Sequence, residues 1–242
     1  MTHPSKIRSD GRNYDQLRPI SFIPNFISYP EGSVLVKWGG THILCNITIQ
    51  DGVPSWIAGQ GQGWMTAEYA LLPRSTQTRT PRETHGLRGR TQEIRRLIGR
   101  ALRMAIDLSK ISERTILLDC DVLQADGGTR VASITGGYLA LALALKPFIL
   151  SGEIPSDALK SPIAAVSVGI VDGQPLLDLN YIEDSHADVD MNVVMTAEGQ
   201  FIEIQGTAEN DPFSNDHLNQ LLKLANDGIQ QIIEHQSSLI HP

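Results

Sequence analysis

The stretch ERTILLDCDVLQADGGTRVASITGGYLALALAL, residues 113–145, decides the fold class of this 242-residue chain. Residues 113–123 predict a strand, and two adjacent glycines with the pair Thr129-Arg130 follow it. From about Arg130 the sequence has helical character and is apolar almost all round. A helix without a polar face has to be buried. The stretch therefore predicts a strand, a tight turn and a core helix.

Similar elements follow one another in each half of the chain. The first half predicts a hairpin at Gly39-Gly40, a strand at 63–72 and a helix from Thr91 with one apolar stripe. The second half predicts a hairpin at Asp172-Gly173, two further strands and an amphipathic helix at 215–236. We therefore predict an α+β fold of two similar βαβ-type halves packed together, residues 16–147 and 160–240. Residues 1–15 are predicted to be a flexible N-terminus.

Charge is distributed unevenly along the sequence. The net charge is −7, yet residues 74–103 hold nine arginines and two glutamates, so this segment is +7 and the remainder −14. Such a concentrated arginine segment predicts contact with phosphate groups. Three of these arginines fall on the polar side of the predicted helix and indicate a solvated face: Arg96, Arg100 and Arg103. Five lie in a turn-rich segment where no helix requires them: Arg74, Arg79, Arg82, Arg88 and Arg90.

The cysteines and the N-terminus indicate the cellular compartment. Cys45 and Cys120 lie within apolar strand-like segments and lack metal-ligand spacing, so we expect reduced core thiols. The N-terminus is polar, and no run of 18 apolar residues occurs. We expect a cytoplasmic protein that does not contact a membrane.

The turn at Gly128, Thr129 and Arg130 has two interpretations. A helix N-terminus presents unpaired N–H groups and a positive dipole end, and glycines let an anion approach the backbone closely. Thr129 can cap the helix or donate its hydroxyl to a ligand, and Arg130 adds a forked positive charge. The turn alone is compatible with a capped helix and with an anion site.

A second candidate site is the acidic stretch YIEDSHADVDMNV, residues 181–193. Its four carboxylates crowd together, and like charges repel unless a cation relieves them. Two carboxylates about six residues apart could hold Mg²⁺ with water completing the shell. An ordinary acidic surface loop is the alternative. His186 is not expected to take part, because Mg²⁺ prefers oxygen ligands.

Five segments together resemble the bacterial ribonuclease PH family, in order and at consistent spacing. They are GQGQGWMTAEYALLPRST at 59–76, GRTQEIRRLIGRALR at 89–103, LDCDVLQADGGTR at 118–130, EDSHADVDMNVV at 183–194 and IEIQGTAE at 202–209. The resemblance implies the ribonuclease PH fold, related to domain 2 of ribosomal protein S5. It also implies a homohexamer built as a trimer of dimers.

The family reaction is phosphorolysis, in which inorganic phosphate attacks the last linkage of an RNA and releases a nucleoside diphosphate. By resemblance, the phosphate is bound by Arg90, Gly128, Thr129 and Arg130. Asp184 and Asp190 match the Mg²⁺-associated catalytic carboxylates, with Arg90 and Arg130 as their catalytic partners. The arginines that match RNA contacts are Arg74, Arg79 and Arg82. The implied substrates are tRNA precursors, with rRNA as a second candidate class.

One departure and two alternatives complete the prediction. The loop between Arg82 and Arg90 is two residues shorter than expected, so no role is assigned to residues 85–88. Asp184 is the candidate general acid for the leaving 3′ oxygen.

Two alternative functions remain open at this point. A hydrolytic, metal-dependent nuclease would release monophosphates, and its activity would not depend on inorganic phosphate. A catalytically silent RNA-binding ring subunit would lack one of the four catalytic residues, and here all four are present.

Overall fold

The computed structural model describes residues 8–240. Within this range the chain forms two β-sheets, one from each half. The N-terminal sheet has five strands in the order β1-β2-β3-β5-β4. Their bounds are β1 Ile20–Pro24, β2 Gly32–Trp38, β3 Thr41–Asp51, β4 Trp64–Leu71 and β5 Arg114–Gln124. Strands β2 and β3 form the hairpin predicted at Gly39-Gly40, and Gly39 adopts the left-handed backbone that such a turn requires.

Helix α1, Gly89–Arg103, connects β4 to β5, which pair in parallel. Its buried face consists of Ile94, Leu97, Ile98, Ala101 and Leu102, as the apolar stripe predicts. Arg96 and Arg100 are exposed. The expectation of a solvated face is wrong for Arg103, which is half-buried, lies over the Trp64 ring at 4.8 Å and donates to the Met65 carbonyl at 3.0 Å.

The C-terminal sheet has four strands in the order β7-β6-β8-β9, and all of its pairs are antiparallel. The bounds are β6 Ile163–Val171, β7 Gln174–Leu177, β8 Val189–Thr196 and β9 Phe201–Ala208. A short helix, α3 Tyr181–Asp184, connects β7 to β8, and α4, Asn215–Ile240, packs across β6, β7 and β8. The predicted two-part α+β fold is confirmed, with the parallel β4–α1–β5 unit in the N-terminal half.

Helix α2, Thr129–Leu150, joins the two halves. It contacts β2 and β3 of the first sheet and β6 of the second. By length and mean hydropathy α2 could cross a membrane, although it contains no uninterrupted run of 18 apolar residues. Fourteen of its residues are buried between the sheets, so in this protein it is the core helix. It ends at Leu150, beyond the predicted domain limit at residue 147.

The cysteines and the N-terminal segment add two findings. Cys45 and Cys120 are buried, free and directly opposite each other on β3 and β5, with their Sγ atoms 4.0 Å apart. Residues 1–7 of the predicted flexible N-terminus lie outside the described part of the chain. From residue 8 onward the prediction missed strong contacts, because Arg8 and Arg12 are buried against the C-terminal half.

Candidate active site

A cleft of about 450 Å³ opens where the two halves meet. The N-terminal half contributes the end of β4, the loop at 76–80, Arg90 and the turn that begins α2. The C-terminal half contributes Ser167, Tyr181, Asp184, Asp190 and Asn192. The structure therefore brings the four predicted catalytic residues and the predicted phosphate-binding turn into one cleft. We call it the catalytic cleft, after the predicted catalytic residues that line it.

The turn before α2 depends on two consecutive glycines. Gly127 and Gly128 have φ angles of +73° and +67°, a region that other residues rarely adopt. A Cβ atom on Gly127 would lie 2.6 Å from the Leu179 carbonyl oxygen. The turn is also held by Thr41, whose hydroxyl donates to the Gly127 carbonyl at 2.7 Å. Close packing against the C-terminal half therefore leaves no room for a side chain here.

Helix α2 begins at Thr129 with Gly128 at its N-cap position, and no side chain caps it. The interpretation of Thr129 as the helix cap is therefore wrong. Its hydroxyl instead shares a 2.8 Å hydrogen bond with the Tyr69 hydroxyl. The first turn of α2 contains no acidic residue, so no side chain of the helix itself offsets the N–H groups and the positive dipole end at this terminus. This arrangement suits an anion.

Both cleft arginines occupy the second position of a helix. Arg90 is the second residue of α1 and Arg130 the second residue of α2, and neither helix has a side-chain cap. Arg130 donates to Gln205 on β9 at 2.8 Å and to Glu93 on α1 at 3.3 Å. These contacts fix the direction of its guanidinium group. Glu93 and Gln205 also hydrogen-bond each other at 3.1 Å.

The two cleft carboxylates come from different elements. Asp184 is the last residue of α3, whereas Asp190 lies on β8, two positions before Asn192 and on the same face of the strand. The other acidic residues of the stretch have different positions: Glu183 is buried against Arg8, and Asp188 does not line the cleft. The acidic stretch is therefore not one surface cluster.

Burial dominates the protonation chemistry of this pair. It raises the pKa of Asp190 to about 6, and the nearby charge of Asp184 acts in the same direction. Burial also raises the pKa of Asp184, against the opposing influence of Arg90 and Arg130. The cleft thus places two carboxylates that resist ionisation beside two permanent cations.

The Oδ1 atom of Asp190 is buried and has no hydrogen-bond partner within the described chain. A buried carboxylate oxygen without a partner is costly, and a cation would satisfy it. Mg²⁺ prefers carboxylate and phosphate oxygens and is often held by one or two carboxylates. Within residues 8–240 no group of three or more His, Cys, Asp or Glu residues could hold a metal. Asp184 and Asp190 therefore fit a cation that takes its remaining ligands from substrate and water.

The predicted RNA-binding arginines do not line the catalytic cleft. Arg74 and Arg79 are exposed on the irregular loop that follows β4. Arg82 lines a neighbouring pocket of about 370 Å³, where burial raises the pKa of Asp121 and the charge of Arg82 opposes that rise. The same loop sends Thr76, Gln77, Thr78 and Thr80 into the catalytic cleft. His186 does not line the cleft and contacts Ser185 and the Ile182 carbonyl.

Sequence reasoning missed several residues of the cleft. They are Tyr69, Thr76, Gln77, Thr78, Thr80, Asp126, Ser167, Tyr181 and Asn192. The two-residue period of a strand could have identified Asn192, because it lies on the same face of β8 as Asp190. The threonines of the loop have no such signal in the sequence, because the direction of their side chains depends on how the loop itself folds.

Known proteins match this chain along almost its whole length. Residues 16–147 match domain 1 of the 3′ exoribonuclease family, and residues 161–228 match domain 2. Ribonuclease PH of Syntrophomonas wolfei is 54% identical over 235 residues, which cover 96% of this chain and 98% of that protein. The chain belongs to the 3′ exoribonuclease family. The predicted resemblance to bacterial ribonuclease PH is thereby confirmed.

Further relatives agree with this assignment. Ribonuclease PH of Bacillus subtilis is 54% identical over 237 residues, covering 97% of each chain. Among solved structures, an exosome of Archaeoglobus fulgidus with RNA bound to its active site has a TM-score of 0.80 at 24% identity, covering 95% of this chain and 92% of that one. Rice Rrp46 has a TM-score of 0.79 at 19% identity, covering 97% and 100%. The structural matches show a shared fold.

Proposed function

We propose that the catalytic cleft performs phosphorolysis of RNA from its 3′ end and releases nucleoside diphosphates. The observation that supports this most directly is the anion site at the start of α2. There an uncapped helix N-terminus, Thr129 and Arg130 face two carboxylates across one cleft. High identity to ribonuclease PH across the chain supports the same activity.

The chemistry requires positive charge more than a strong base. Inorganic phosphate is already anionic near neutral pH, and it must approach the phosphorus of another anion. Arg90, Arg130 and the amide groups at the start of α2 offset the repulsion and stabilise the charge that develops on the transferring group. Arg130, held by Gln205 and Glu93, is oriented before the phosphate arrives.

Asp184 and Asp190 would hold Mg²⁺ in this proposal. The bound ion would neutralise charge on the phosphate oxygens. The leaving 3′ oxygen requires a proton. Asp184 is the candidate donor in its protonated state, in which Asp190 alone would hold the ion. A hydrolase would instead need a base or a pair of metals to activate water. The anion site at the start of α2 suits a phosphate nucleophile and therefore favours phosphorolysis over that alternative.

The substrates and the assembly belong to the same proposal. The trimmed RNAs are tRNA precursors, with rRNA as a second candidate class, and they are held upstream of the cleft by Arg74, Arg79 and Arg82. The chain acts as a homohexamer, a trimer of dimers, in the cytoplasm. Analytical ultracentrifugation tests the assembly, because a monomer at micromolar concentration would contradict it.

The test of function is product analysis. The protein is incubated with Mg²⁺ and a tRNA that carries a labelled 3′ extension, with and without inorganic phosphate. We expect diphosphates only when phosphate is present, and their loss in Arg90→Ala and Arg130→Ala. Arg96→Ala is the matched control, since Arg96 is an exposed arginine of α1 that does not line the cleft. Monophosphates in both tubes would overturn the proposal.

A further inference from the structure

A network of buried ion pairs lies behind the catalytic cleft. It joins three arginines of the N-terminal segment to two acidic residues of the C-terminal half, and no member lines the cleft: Arg8, Arg12, Arg18, Asp178 and Glu183. Each is at most 7% exposed. Buried charges are costly unless they are well paired, so a network of this size indicates a role other than stabilising the hydrophobic core.

Asp178 is the centre of the network and is fully buried. Its carboxylate accepts from the Arg18 guanidinium at 2.7 Å, from the Arg18 backbone N–H at 2.7 Å and from Trp38 Nε1 at 2.9 Å. Its backbone has a φ of +56°, which is unfavourable for a residue with a side chain. Asp178 thus ties the end of β7 to the N-terminal sheet at a strained position.

Arg18 connects this centre to the phosphate-binding turn. Its Nη2 atom pairs with Asp178, while its Nη1 atom donates to the backbone carbonyl of Asp126. The guanidinium also lies against the turn itself, because a Cβ atom on Gly128 would be 3.1 Å from Arg18 Nη2. A planar guanidinium group has a fixed separation between its donors. Arg18 therefore sets the distance between Asp178 and the turn.

The network also holds the element that ends in Asp184. Asn180, two residues after Asp178, caps α3 in a reciprocal arrangement with Glu183. The Glu183 carboxylate accepts two hydrogen bonds from Arg8, at 2.7 Å and 2.5 Å. Asp184 follows directly and donates its backbone N–H to Asn180 at 2.9 Å. Because Asp178 and Glu183 are held in place, the backbone position from which the Asp184 side chain extends is held as well.

We propose that Arg18 is a positioning residue for the reaction: by bridging Asp178 and the Asp126 carbonyl, it sets the phosphate-binding turn at its working distance from Asp184. This inference rests on the proposed function, because it assigns the turn to phosphate. Arg18 does not touch the substrate. It acts through Gly127, Gly128 and Thr129.

The test compares Arg18→Lys with Arg12→Lys. Lysine keeps the charge but cannot span Asp178 and the Asp126 carbonyl at once. Arg12 is equally buried and pairs with Asp178 and Glu183, but it has no contact with Asp126, so it is the matched control. At a temperature where circular dichroism shows both variants folded, we expect Arg18→Lys to raise the KM for phosphate about tenfold, the effect of one lost charge-assisted hydrogen bond. The KM for RNA stays unchanged, and Arg12→Lys keeps the wild-type KM for phosphate.

A second readout does not depend on RNA chemistry. Phosphate that binds the folded protein raises Tm with concentration. We expect this rise in the wild type and in Arg12→Lys, and a much smaller rise in Arg18→Lys at the same phosphate concentration. A purely structural role would lower the Tm of Arg18→Lys and leave both the phosphate-dependent rise and the KM for phosphate unchanged. That result would overturn the inference.

Thr41→Val keeps the inference testable if Arg18→Lys does not fold. The Thr41 hydroxyl donates to the Gly127 carbonyl and accepts from the Asp126 N–H at 3.0 Å, so valine releases the same turn without altering an ion pair. Here too we expect a raised KM for phosphate, and an unchanged value rejects the positioning of the turn. If the wild type releases monophosphates without phosphate, the proposed function fails. If the wild type requires phosphate and the variants behave like it, only this inference fails.

Discussion

The N-terminal half of the molecule brings both arginines of the catalytic cleft, whereas the C-terminal half brings the two carboxylates that are candidates for the chemistry. Arg90, Arg130 and the start of α2 belong to the first half, and Asp184 and Asp190 to the second. The difference shows that neither half contains a complete site. An anionic nucleophile and a cation can be held side by side only when the two halves are packed together.

The largest expected effect on the reaction comes from removing either the positive charge of Arg130 or the negative charge of Asp190. Arg130→Ala and Asp190→Asn should each lower kcat/KM for phosphorolysis about 100-fold to 1000-fold, as the loss of one preorganised charge-stabilising group does. Initial rates of diphosphate release check this. Arg96→Ala should retain wild-type rates. A comparable loss in that control would show that the rate depends on the overall positive charge of the protein and not on the residues of the cleft.

The second effect is on stability and concerns Asp190 of the C-terminal half. Because the folded-state pKa of Asp190 is raised from 3.8 to about 6, the stability it contributes is present below about pH 4 and is lost as pH rises through about 6. Asp190→Asn should therefore be more stable than the wild type at about pH 8, by about 3 kcal/mol, and similar to it near pH 4.

Urea unfolding without divalent cations measures this difference at the two pH values. Asp188→Asn is the control, since Asp188 lies next to β8 but outside the cleft. If Asp190→Asn gave no gain at the higher pH, Asp190 would not be held in an environment that opposes its charge.

The third prediction concerns the exposed arginines of the N-terminal half. Replacing Arg74, Arg79 and Arg82 together by alanine should weaken binding of a long RNA about tenfold at low salt and flatten its salt dependence. Trimming of a short oligonucleotide should change little, because these side chains lie outside the catalytic cleft. Filter binding across a salt series measures the slope. Lys223→Ala, an exposed cation on α4, should leave it unchanged.

The smallest effect tests how Thr129 is oriented. Tyr69→Phe removes only the hydroxyl that contacts Thr129 Oγ1 at 2.8 Å. One neutral hydrogen bond contributes about 0.5–1.5 kcal/mol, so we expect a rise of about threefold to tenfold in the KM for phosphate. Steady-state kinetics with varied phosphate check it. An unchanged KM would mean that Thr129 needs no support from β4.

Local patterns predicted much of this architecture. The hairpins at Gly39-Gly40 and Asp172-Gly173, the amphipathic α1 and the buried α2 follow from periods and turn residues within a few positions of each other. The four cleft residues were predicted from long motifs rather than from local physics. Their assigned roles remain predictions, although the structure brings the side chains together.

The network around Asp178 could not be predicted in this way. Arg18 and Asp178 are separated by 160 residues, and Arg8 and Glu183 by 175. Neither arginine falls in a periodic segment, and a polar N-terminus predicts a solvated chain unless its partners are known. Likewise Thr129 looked like a cap, because the sequence does not show that Tyr69 takes its hydroxyl. Such pairings depend on how distant elements pack.

Phosphate binding itself tests the division of charge most directly. Inorganic phosphate is titrated calorimetrically, without RNA or Mg²⁺, into the wild type, Arg130→Ala and Asp190→Asn. The account predicts that binding is lost in Arg130→Ala and is retained or tightened in Asp190→Asn, which removes a negative neighbour. Equal loss in both variants, or undiminished binding in Arg130→Ala, would contradict the claim that the N-terminal half holds the phosphate.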